Sequence, residues 1–529
     1  MTPSPAPFRP VQISLADLCG REFVAAAAGA RAWLTGEHAT ALEAEAVRPV
    51  SFFPVAFEQR LIDMLPHVGA VVAPSLPGSA AGASTANFNR ATRAAMAPLS
   101  GLGYFRIGED GRLYLATKSE HYHASLGHGF PGYALVDIAK RLGIPNATHN
   151  NTRGHITRRL EEELVAAANG ISPDDHAAMG LVLASDRLDV LNRVLNLETG
   201  SLAVEAALKM ILARFYRMQT GLAEPRYAGK TPVVLVMGDA DGKVAGNYHG
   251  TTVLTQVMRG MWGGLARKLD AAGAFQVRAI RPNNIADVEA AFRECNTGDT
   301  RIAGFFHEIV MMNYGGVLLT KEFLQQAYAL CHAHGVPVVC DEIQSCVWSS
   351  EVFLFREYGL KPSFVSAGKG FPGGEYPASR IVFSAAMDND LPQFGALVTN
   401  GQEELASLAY LVTMKWVQAN GAAIAANGEY YAARLREVAA RFDGLITGIE
   451  GKGHMSSIMV ADLDAAKAIA ALLVESGLDI SVQAYKADCP PALLSKLPLI
   501  AGREVIDCVV AKIEAALATY SGALLAAGH

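Results

Sequence analysis

Apolar and polar segments alternate regularly through the middle of the chain. Between about residues 190 and 385, short apolar runs are separated by longer amphipathic stretches. The predicted strands are 193–197, 233–237, 277–280, 302–309, 336–340 and 364–366, and the predicted helices are 202–216, 287–295, 321–334 and 403–418. This alternation predicts an α/β domain with a mostly parallel sheet covered by helices, and one ligand crevice at the carboxyl ends of its strands.

The flanking segments predict smaller units. Residues 1–105 predict helices and loops, and a D-G turn between alternating apolar residues predicts a hairpin at 107–115. After about residue 420, helices at 430–442, 464–476 and 503–517 and extended segments at 456–460 and 478–482 predict a smaller α/β unit. We therefore divide the chain into an N-terminal helical and loop extension (1–105), the N-terminal part of a small domain with a linker (106–190), a large ligand-binding domain (191–420) and a C-terminal small domain (421–529).

Composition narrows the class of protein. The chain has 529 residues, of which 51% are hydrophobic and 18% charged, as in a large α/β enzyme. A net charge of -6 with scattered basic residues argues against a nucleic-acid surface. Seven cysteines without CxxC spacing predict free thiols in a reducing compartment, and neither a disulfide framework nor a metal site. No uninterrupted apolar run approaches the ~20 residues of a membrane span, so we expect a cytoplasmic protein without membrane contact.

A lysine between two glycines is the most informative position in the chain. Lys369 ends an apolar run as Ser-Ala-Gly-Lys-Gly, and upstream the predicted strand 336–340 ends on Asp341-Glu342-Ile343-Gln344. Downstream, Thr399 opens a small polar turn before a helix. A buried lysine, a strand-end carboxylate and a hydroxyl near glycines are the parts needed to hold pyridoxal phosphate (PLP).

These residues and their spacing resemble the class III (subgroup II) PLP-dependent aminotransferases of fold type I. Lys369 follows Asp341 by 28 positions, and Thr399 follows Lys369 by 30. The resemblance covers roughly residues 105–520 and is strongest between 190 and 420. It implies a PLP-binding large domain, a smaller C-terminal α/β domain and an obligate homodimer whose two chains share each active site.

The resemblance also implies a role for each matching residue. Lys369 would carry PLP as a Schiff base and move protons, and Asp341 would pair with the pyridine nitrogen. Gln344 would lie near the phenolic oxygen of the ring, and Glu308 would shape the pocket on the substrate side. Thr399 would reach the phosphate of the neighbouring subunit.

Two further segments resemble cofactor-binding motifs of the family. Gly200 and Ser201 follow a predicted strand and open a helix, whose free amides and dipole favour a phosphate dianion. Tyr248 and His249 lie in a G-x-Y-H-G segment, where the tyrosine would stack on the pyridine ring and the histidine would lie close by. The alternatives are an ordinary helix N-cap and an aromatic loop residue.

Two segments depart from the family pattern. After Gln344 the family continues Thr-Gly-Phe-Gly-Arg-Thr-Gly, whereas this chain has Ser-Cys-Val-Trp-Ser-Ser-Glu. The family arginine that grips a substrate carboxylate precedes a Gly-Lys-Gly run, and here Glu450 takes that place. Either the carboxylate is gripped elsewhere, with Arg153 and Arg380 as candidates, or the substrate is not a standard α-amino acid.

The resemblance predicts transfer of an amino group from an amine or amino acid to a keto acid or aldehyde. One alternative keeps the cofactor and fold but gives a lyase, racemase or epimerase, decarboxylase or aminomutase, because sequence does not show which bond at the substrate carbon is broken. A second alternative is a cofactor-binding protein without catalysis. Joint retention favours an enzyme, since binding alone does not need a Schiff base; the retained residues are Lys369, Asp341, Gly200, Tyr248 and Thr399.

Overall fold

The computed structural model describes residues 3–388, 391, 395–398, 401–484 and 489–527. The N-terminal region contains helices and loops, as predicted, and a two-stranded antiparallel ribbon. Its elements are β1 (Gln12–Ile13), α1 (Leu15–Cys19), α2 (Arg21–Thr35), α3 (Ala39–Ala46), β2 (Val50–Ser51), α4 (Val55–Met64) and α5 (Ala86–Ala91). Ser14 and Asp17 form a reciprocal capping box that satisfies free amides at the start of α1.

The predicted hairpin is confirmed. It is formed by β4 (Phe105–Gly108) and β5 (Leu113–Ala116), and β3 (Pro98–Leu102) extends it. The turn contains Gly111 with φ +76°, a left-handed conformation that glycine adopts readily. β5 also pairs in parallel with a strand from the C-terminal region, Leu478–Asp479, so distant parts of the chain share one sheet. The helices that follow are α6 (Ser119–Tyr122), α7 (Ala134–Arg141), α8 (His155–Asn169) and α9 (His176–Leu183).

A seven-stranded sheet forms the large domain. Its strands are β6 (Arg193–Leu197), β7 (Thr231–Met237), β8 (Gln276–Ile280), β9 (Thr300–His307), β12 (Val338–Asp341), β13 (Phe364–Ala367) and β14 (Ser379–Phe383), in the order β6-β14-β13-β12-β9-β7-β8. β14 alone among them runs antiparallel to its neighbours. The predicted mostly parallel sheet is therefore confirmed, and β14 is a strand that the pattern did not predict.

Helices cover both faces of this sheet, so its central strands are buried on both sides. The helices are α10 (Gly200–Ala213), α11 (Val253–Met258), α12 (Gly263–Ala271), α13 (Ile285–Cys295), α14 (Lys321–Ala333) and α15 (Leu354–Glu357), and a short hairpin adds β10 (Val310–Met311) and β11 (Val317–Leu318). All seven cysteines are free, as predicted.

The C-terminal region differs from the prediction at its first helix. The helices expected at 403–418 and 430–442 are one continuous helix, α16 (Glu404–Ala439). Two glycines inside it are sites of close packing: a Cβ on Gly421 would lie 2.0 Å from the carbonyl oxygen of Ser350, and one on Gly428 would lie 3.0 Å from the amide nitrogen of His454. They therefore permit helix contacts and do not end the helix.

An antiparallel sheet packs beside α16. It contains β15 (Ile446–Lys452), β16 (Met455–Val460), β18 (Ser481–Val482) and β19 (Ala492–Leu494), and the remaining elements are α17 (Leu463–Glu475), β17 (Leu478–Asp479) and α18 (Arg503–Ala527). Among the described residues, Arg503–Ala526 is one helix that is long and apolar enough to cross a membrane by length and composition, with a mean hydropathy of 1.4. Its apolar window is 28% buried. Ile506, Val510 and Ile513 are among its buried residues, and the helix contacts α16 and α17.

Candidate active site

A cavity of about 620 Å³ opens at the carboxyl ends of the large sheet. Glu308 follows β9, Asp341 ends β12, and Lys369 lies two residues beyond β13. Helix α10, which follows β6, presents Gly200 at its first position. The crevice predicted from the alternating pattern is therefore where these four residues meet.

Lys369 faces this cavity from a tight turn. Its backbone has φ +47°, which is uncommon for a residue with a side chain and is found most often at functional sites. Burial lowers the pKa of the Lys369 amine, and the nearby carboxylates of Glu308 and Asp341 oppose that shift. A lowered pKa raises the neutral, nucleophilic fraction of an amine.

Asp341 is held by neighbours on both sides of its strand. The parallel register pairs it with Ser366 of β13, and the Ser366 hydroxyl donates to Oδ1 at 2.5 Å. Oδ2 lies 2.9 Å from Nδ1 of His249, which arrives from the loop after β7. The amide of Ile343 also donates to Oδ1, at 3.3 Å. Asp341 is 5% exposed, so this network fixes a carboxylate at the cavity floor.

Three side chains meet at this floor. One ring nitrogen of His249 and one carboxylate oxygen each of Glu308 and Asp341 lie within 4.8 Å of one another, and all three residues are buried. Gln344 is 5% exposed and lines the same cavity. Among the described residues, Nε2 of His249 and Oε1 of Gln344 are buried without a hydrogen-bond partner, which suits a site that receives a polar ring.

The opposite end of the cavity is a helix N-terminus. Thr199 caps α10 by accepting from the Leu202 amide at 3.3 Å, so the first amides of the helix remain available to an anion. Ser201 accepts from the Thr251 amide at 3.1 Å. Gly250 has φ +118°, and a Cβ there would lie 2.8 Å from Cα of Ser201. The loop that carries Gly250 therefore lies closer to the start of α10 than a residue with a side chain would allow.

Tyr248 lines the cavity between these two ends. The guanidinium of Arg259 lies 4.5 Å from its ring centroid, a cation–π contact that holds the ring in place. Thr399, also predicted to belong to the site, lies outside the described residues. The cavity thus brings together every other predicted cofactor-binding residue, namely Gly200, Ser201, Tyr248, His249, Glu308, Asp341, Gln344 and Lys369.

Sequence reasoning missed the residues on the side of the cavity away from the sheet. His121 and His123 line it from residues 119–123, which comprise the single-turn helix α6 and the residue after it and are here called the histidine loop. His121 itself has φ +56°. Burial and the nearby Lys369 lower the pKa of His121 to about 4 and also lower that of His123, so both imidazoles are neutral near pH 7. In the sequence, the one signal for these two residues is a pair of histidines separated by a single position.

Asn313, Tyr376 and Glu198 also line the cavity and were not predicted. The two arginines considered as carboxylate-binding residues are elsewhere. Arg153 pairs with Glu161 at 3.2 Å on the surface, and Arg380 is buried, where it donates to the carbonyl of Leu197 at 3.2 Å. Neither is among the described residues that line the cavity.

Comparison with known proteins points to one family. The family model described as Aminotransferase class-III matches residues 91–517. An ornithine aminotransferase of Emericella nidulans is 23% identical over 76% of this chain and 83% of its own length. A diaminobutyrate–2-oxoglutarate transaminase of Vibrio cholerae is 24% identical over 72% of this chain and 91% of its own length.

Solved structures share the fold. The ornithine aminotransferase from Toxoplasma gondii ME49 matches with a TM-score of 0.64 and 19% identity, over 81% of this chain and 91% of that one. The N-acetylornithine aminotransferase from Stenotrophomonas maltophilia K279a matches with a TM-score of 0.61 and 19% identity, over 83% of this chain and 99% of that one.

Proposed function

Because the chain belongs to the class III aminotransferases and is a PLP-dependent aminotransferase of fold type I, we propose that Lys369 is the residue that carries its cofactor. The observation that supports this most is the joint placement of Lys369 and Asp341 in one cavity, with Asp341 fixed by Ser366 and His249. Asp341 is the proposed partner of the pyridine nitrogen.

The residues of the cavity fit PLP. The first amides of α10, with the close approach of Gly250 to Ser201, suit a phosphate. The unpartnered atoms of His249 and Gln344 suit a polar aromatic ring. When bound, PLP withdraws electrons from the substrate carbon that carries the amino group.

The protein supplies proton transfer and orientation. With its pKa lowered by burial, Lys369 is available as a neutral base that removes a proton from the substrate carbon and returns it elsewhere. The Asp341 carboxylate keeps a positive charge on the pyridine nitrogen favourable. Glu308 and Tyr248 border the space in which the substrate lies.

We propose an amino acid or amine as the donor and a keto acid or aldehyde as the acceptor. The relatives and solved structures are named for ornithine, N-acetylornithine and diaminobutyrate, so amino acids are the first donors to test. In the described part of the chain, which includes every arginine, no arginine lines the cavity. Beside the predicted residues, the cavity is lined by donors and acceptors from His121, His123, Asn313 and Tyr376. Donors with and without a carboxylate therefore belong in the same panel.

We further propose a cytoplasmic homodimer in which Thr399 of each chain reaches the phosphate in the other. The support is the spacing of Thr399 from Lys369. Light scattering of the purified protein tests the dimer, and mixing Lys369→Ala with Thr399→Ala chains tests the shared site. Recovery of activity only in mixed dimers is expected; a fully active Thr399→Ala enzyme would contradict the role of Thr399.

The experiment that tests the function follows the cofactor during one half-reaction. The protein loaded with PLP is mixed with each donor, and the cofactor is extracted and identified. Stoichiometric conversion to pyridoxamine phosphate, reversed by a keto acid or aldehyde, is expected for transamination. Product formation with PLP unchanged would contradict it and favour a lyase or racemase. The Lys369→Ala variant should lose turnover altogether.

A further inference from the structure

A short segment of the C-terminal region joins two walls of the active-site cavity. It consists of residues 495–499, which follow β19, and we call it the latch segment. The amide of Lys496 donates to the Thr117 carbonyl at 2.7 Å, and the Ser119 hydroxyl donates to the Lys496 carbonyl at 2.5 Å. The latch segment is therefore hydrogen-bonded to the chain two residues before the histidine loop and at the first residue of that loop.

A second set of bonds lies beyond the histidine loop. The Leu499 amide donates to the Ser125 carbonyl at 2.8 Å. The Ser125 hydroxyl in turn donates to the carbonyl of Gly370 at 2.5 Å, and Gly370 directly follows Lys369. The histidine loop is thus held at both ends, and its far end is connected to the turn that carries the lysine.

The side chain of Lys496 points to the other wall. Its Nζ donates to the carbonyl oxygen of Gln344 and lies 3.6 Å from the ring centroid of Trp348. The indole N–H of Trp348 donates to the Leu497 carbonyl at 2.8 Å. One lysine and one tryptophan therefore tie the turn after Asp341 to the latch segment.

This arrangement explains a departure noted in the sequence. Trp348 lies within residues 345–351, where the chain differs from the family pattern. Lys496 is fully buried, and burying an ammonium group is costly unless other groups compensate. A cation over a desolvated indole face is among the stronger cation–π contacts. Burial lowers the pKa of Lys496, yet its N–H groups donate to the Gln344 carbonyl in either protonation state.

We propose that Lys496 is a positioning residue for the aminotransferase reaction. Its side chain fixes the turn that presents Gln344, and its backbone fixes the histidine loop, so that one residue sets the distance between the two walls. The proposal rests on the proposed roles of Lys369 and Gln344 in holding the cofactor. Small displacements of groups that orient a reacting centre cost enzymes up to about 100-fold in rate.

The test compares Lys496→Met with a matched control, Lys512→Met. Lys512 also donates to two backbone carbonyls, those of Ser476 at 2.8 Å and Val68 at 3.3 Å, away from the cavity. Lys496→Met should lower kcat by about 10- to 100-fold with a much smaller change in KM. It should also raise the dissociation constant for PLP and speed hydrogen exchange in residues 117–125. Lys496→Arg should recover part of kcat, and Lys512→Met should alter stability alone.

Two results would overturn the proposal. One is a Lys496→Met enzyme whose kcat, PLP affinity and hydrogen exchange match those of Lys512→Met. If Lys496→Met does not fold, Trp348→Phe replaces it, because phenylalanine keeps an aromatic ring beside Lys496 but removes the N–H bond to Leu497 and weakens the cation–π contact. An unchanged kcat there would refute the latch. A wild-type protein that forms no lysine-bound PLP would instead refute the proposed site.

Discussion

Gly250 provides a quantitative test of the phosphate end of the cavity. It has φ +118°, and a Cβ would lie 2.8 Å from both Cα and Oγ of Ser201. A side chain in such a glycine-only conformation costs about 1–3 kcal/mol. Displacing the Ser201 backbone adds about 1–3 kcal/mol, the usual cost of overpacking.

Gly242 separates these two contributions. It has φ +80° in the turn after β7, and a Cβ there would lie 3.6 Å from the nearest side-chain atom, Cγ of Arg281, which is ordinary contact. Gly242→Ala should therefore show the conformational cost alone, about 1–2 kcal/mol in the free energy of unfolding. Gly250→Ala should show a similar cost plus the displacement of the loop and helix that face the phosphate.

The assay is PLP binding to the apoprotein, beside urea unfolding of each variant. If the 1–3 kcal/mol cost of displacing the Ser201 backbone appears in cofactor binding, the dissociation constant for PLP rises about 5- to 150-fold in Gly250→Ala. In Gly242→Ala the dissociation constant for PLP stays within about twofold of the wild-type value. Equal PLP affinity in the two variants would refute the assignment of this end of the cavity to the phosphate.

Two further predictions concern carboxylates at the end of β12. Asp341→Asn should lower the single-turnover rate by about 100- to 1,000-fold because it removes a preorganised charge. The control is Asp239→Asn, a buried carboxylate near a strand end that does not line the cavity, and it should leave the rate unchanged. Equal losses in the two variants would contradict the role of Asp341. Burial raises the pKa of Glu342 to about 7 from 4.5. Between these two pH values the folded protein keeps a proton on Glu342 that the unfolded chain has released. The free energy of unfolding therefore falls by about 3 kcal/mol at most as the pH rises from 4.5 to 7. Glu342→Gln should flatten that slope in urea titrations; an unchanged slope would contradict the assignment.

The sequence was sufficient to find the residues that stand at strand ends. Asp341, Glu308 and Lys369 each follow an apolar run of the central alternating region, and the carboxyl ends of parallel strands meet at one edge of a sheet. Gly200 was found for a similar reason, since it opens a helix directly after a strand. The local pattern locates strand ends and helix starts, and the resemblance to the family assigned Glu308 and Gly200 their roles there.

The residues that were missed depend on pairing between distant segments. Ser366 reaches Asp341 through the register of β12 with β13. Both strands are buried on both faces, so no alternation of apolar and polar residues marks their register. His121 comes from a loop placed by a sheet that joins β5 to β17 across the chain. Lys496 lies 152 positions from the carbonyl that it contacts. None of these contacts leaves a local signal.

The continuity of α16 was missed for a different reason. Gly421 and Gly428 lower helix propensity, which favours a break between 418 and 430. In the structure the backbone of Ser350 packs so closely against Gly421 that a Cβ would clash, and the backbone of His454 lies 3.0 Å from a Cβ on Gly428. Tertiary packing therefore outweighs a local cost of about 1 kcal/mol per glycine.

The most direct test of the account is to identify the lysine that carries the cofactor. The protein loaded with PLP is reduced with borohydride, digested and analysed by mass spectrometry, with Lys369→Ala treated in parallel. We expect the cofactor mass on the peptide that contains Lys369, in stoichiometric yield, and no specific labelling in the variant. Labelling of a different lysine in the wild type, or equal labelling of Lys369→Ala, would contradict the assignment of Lys369.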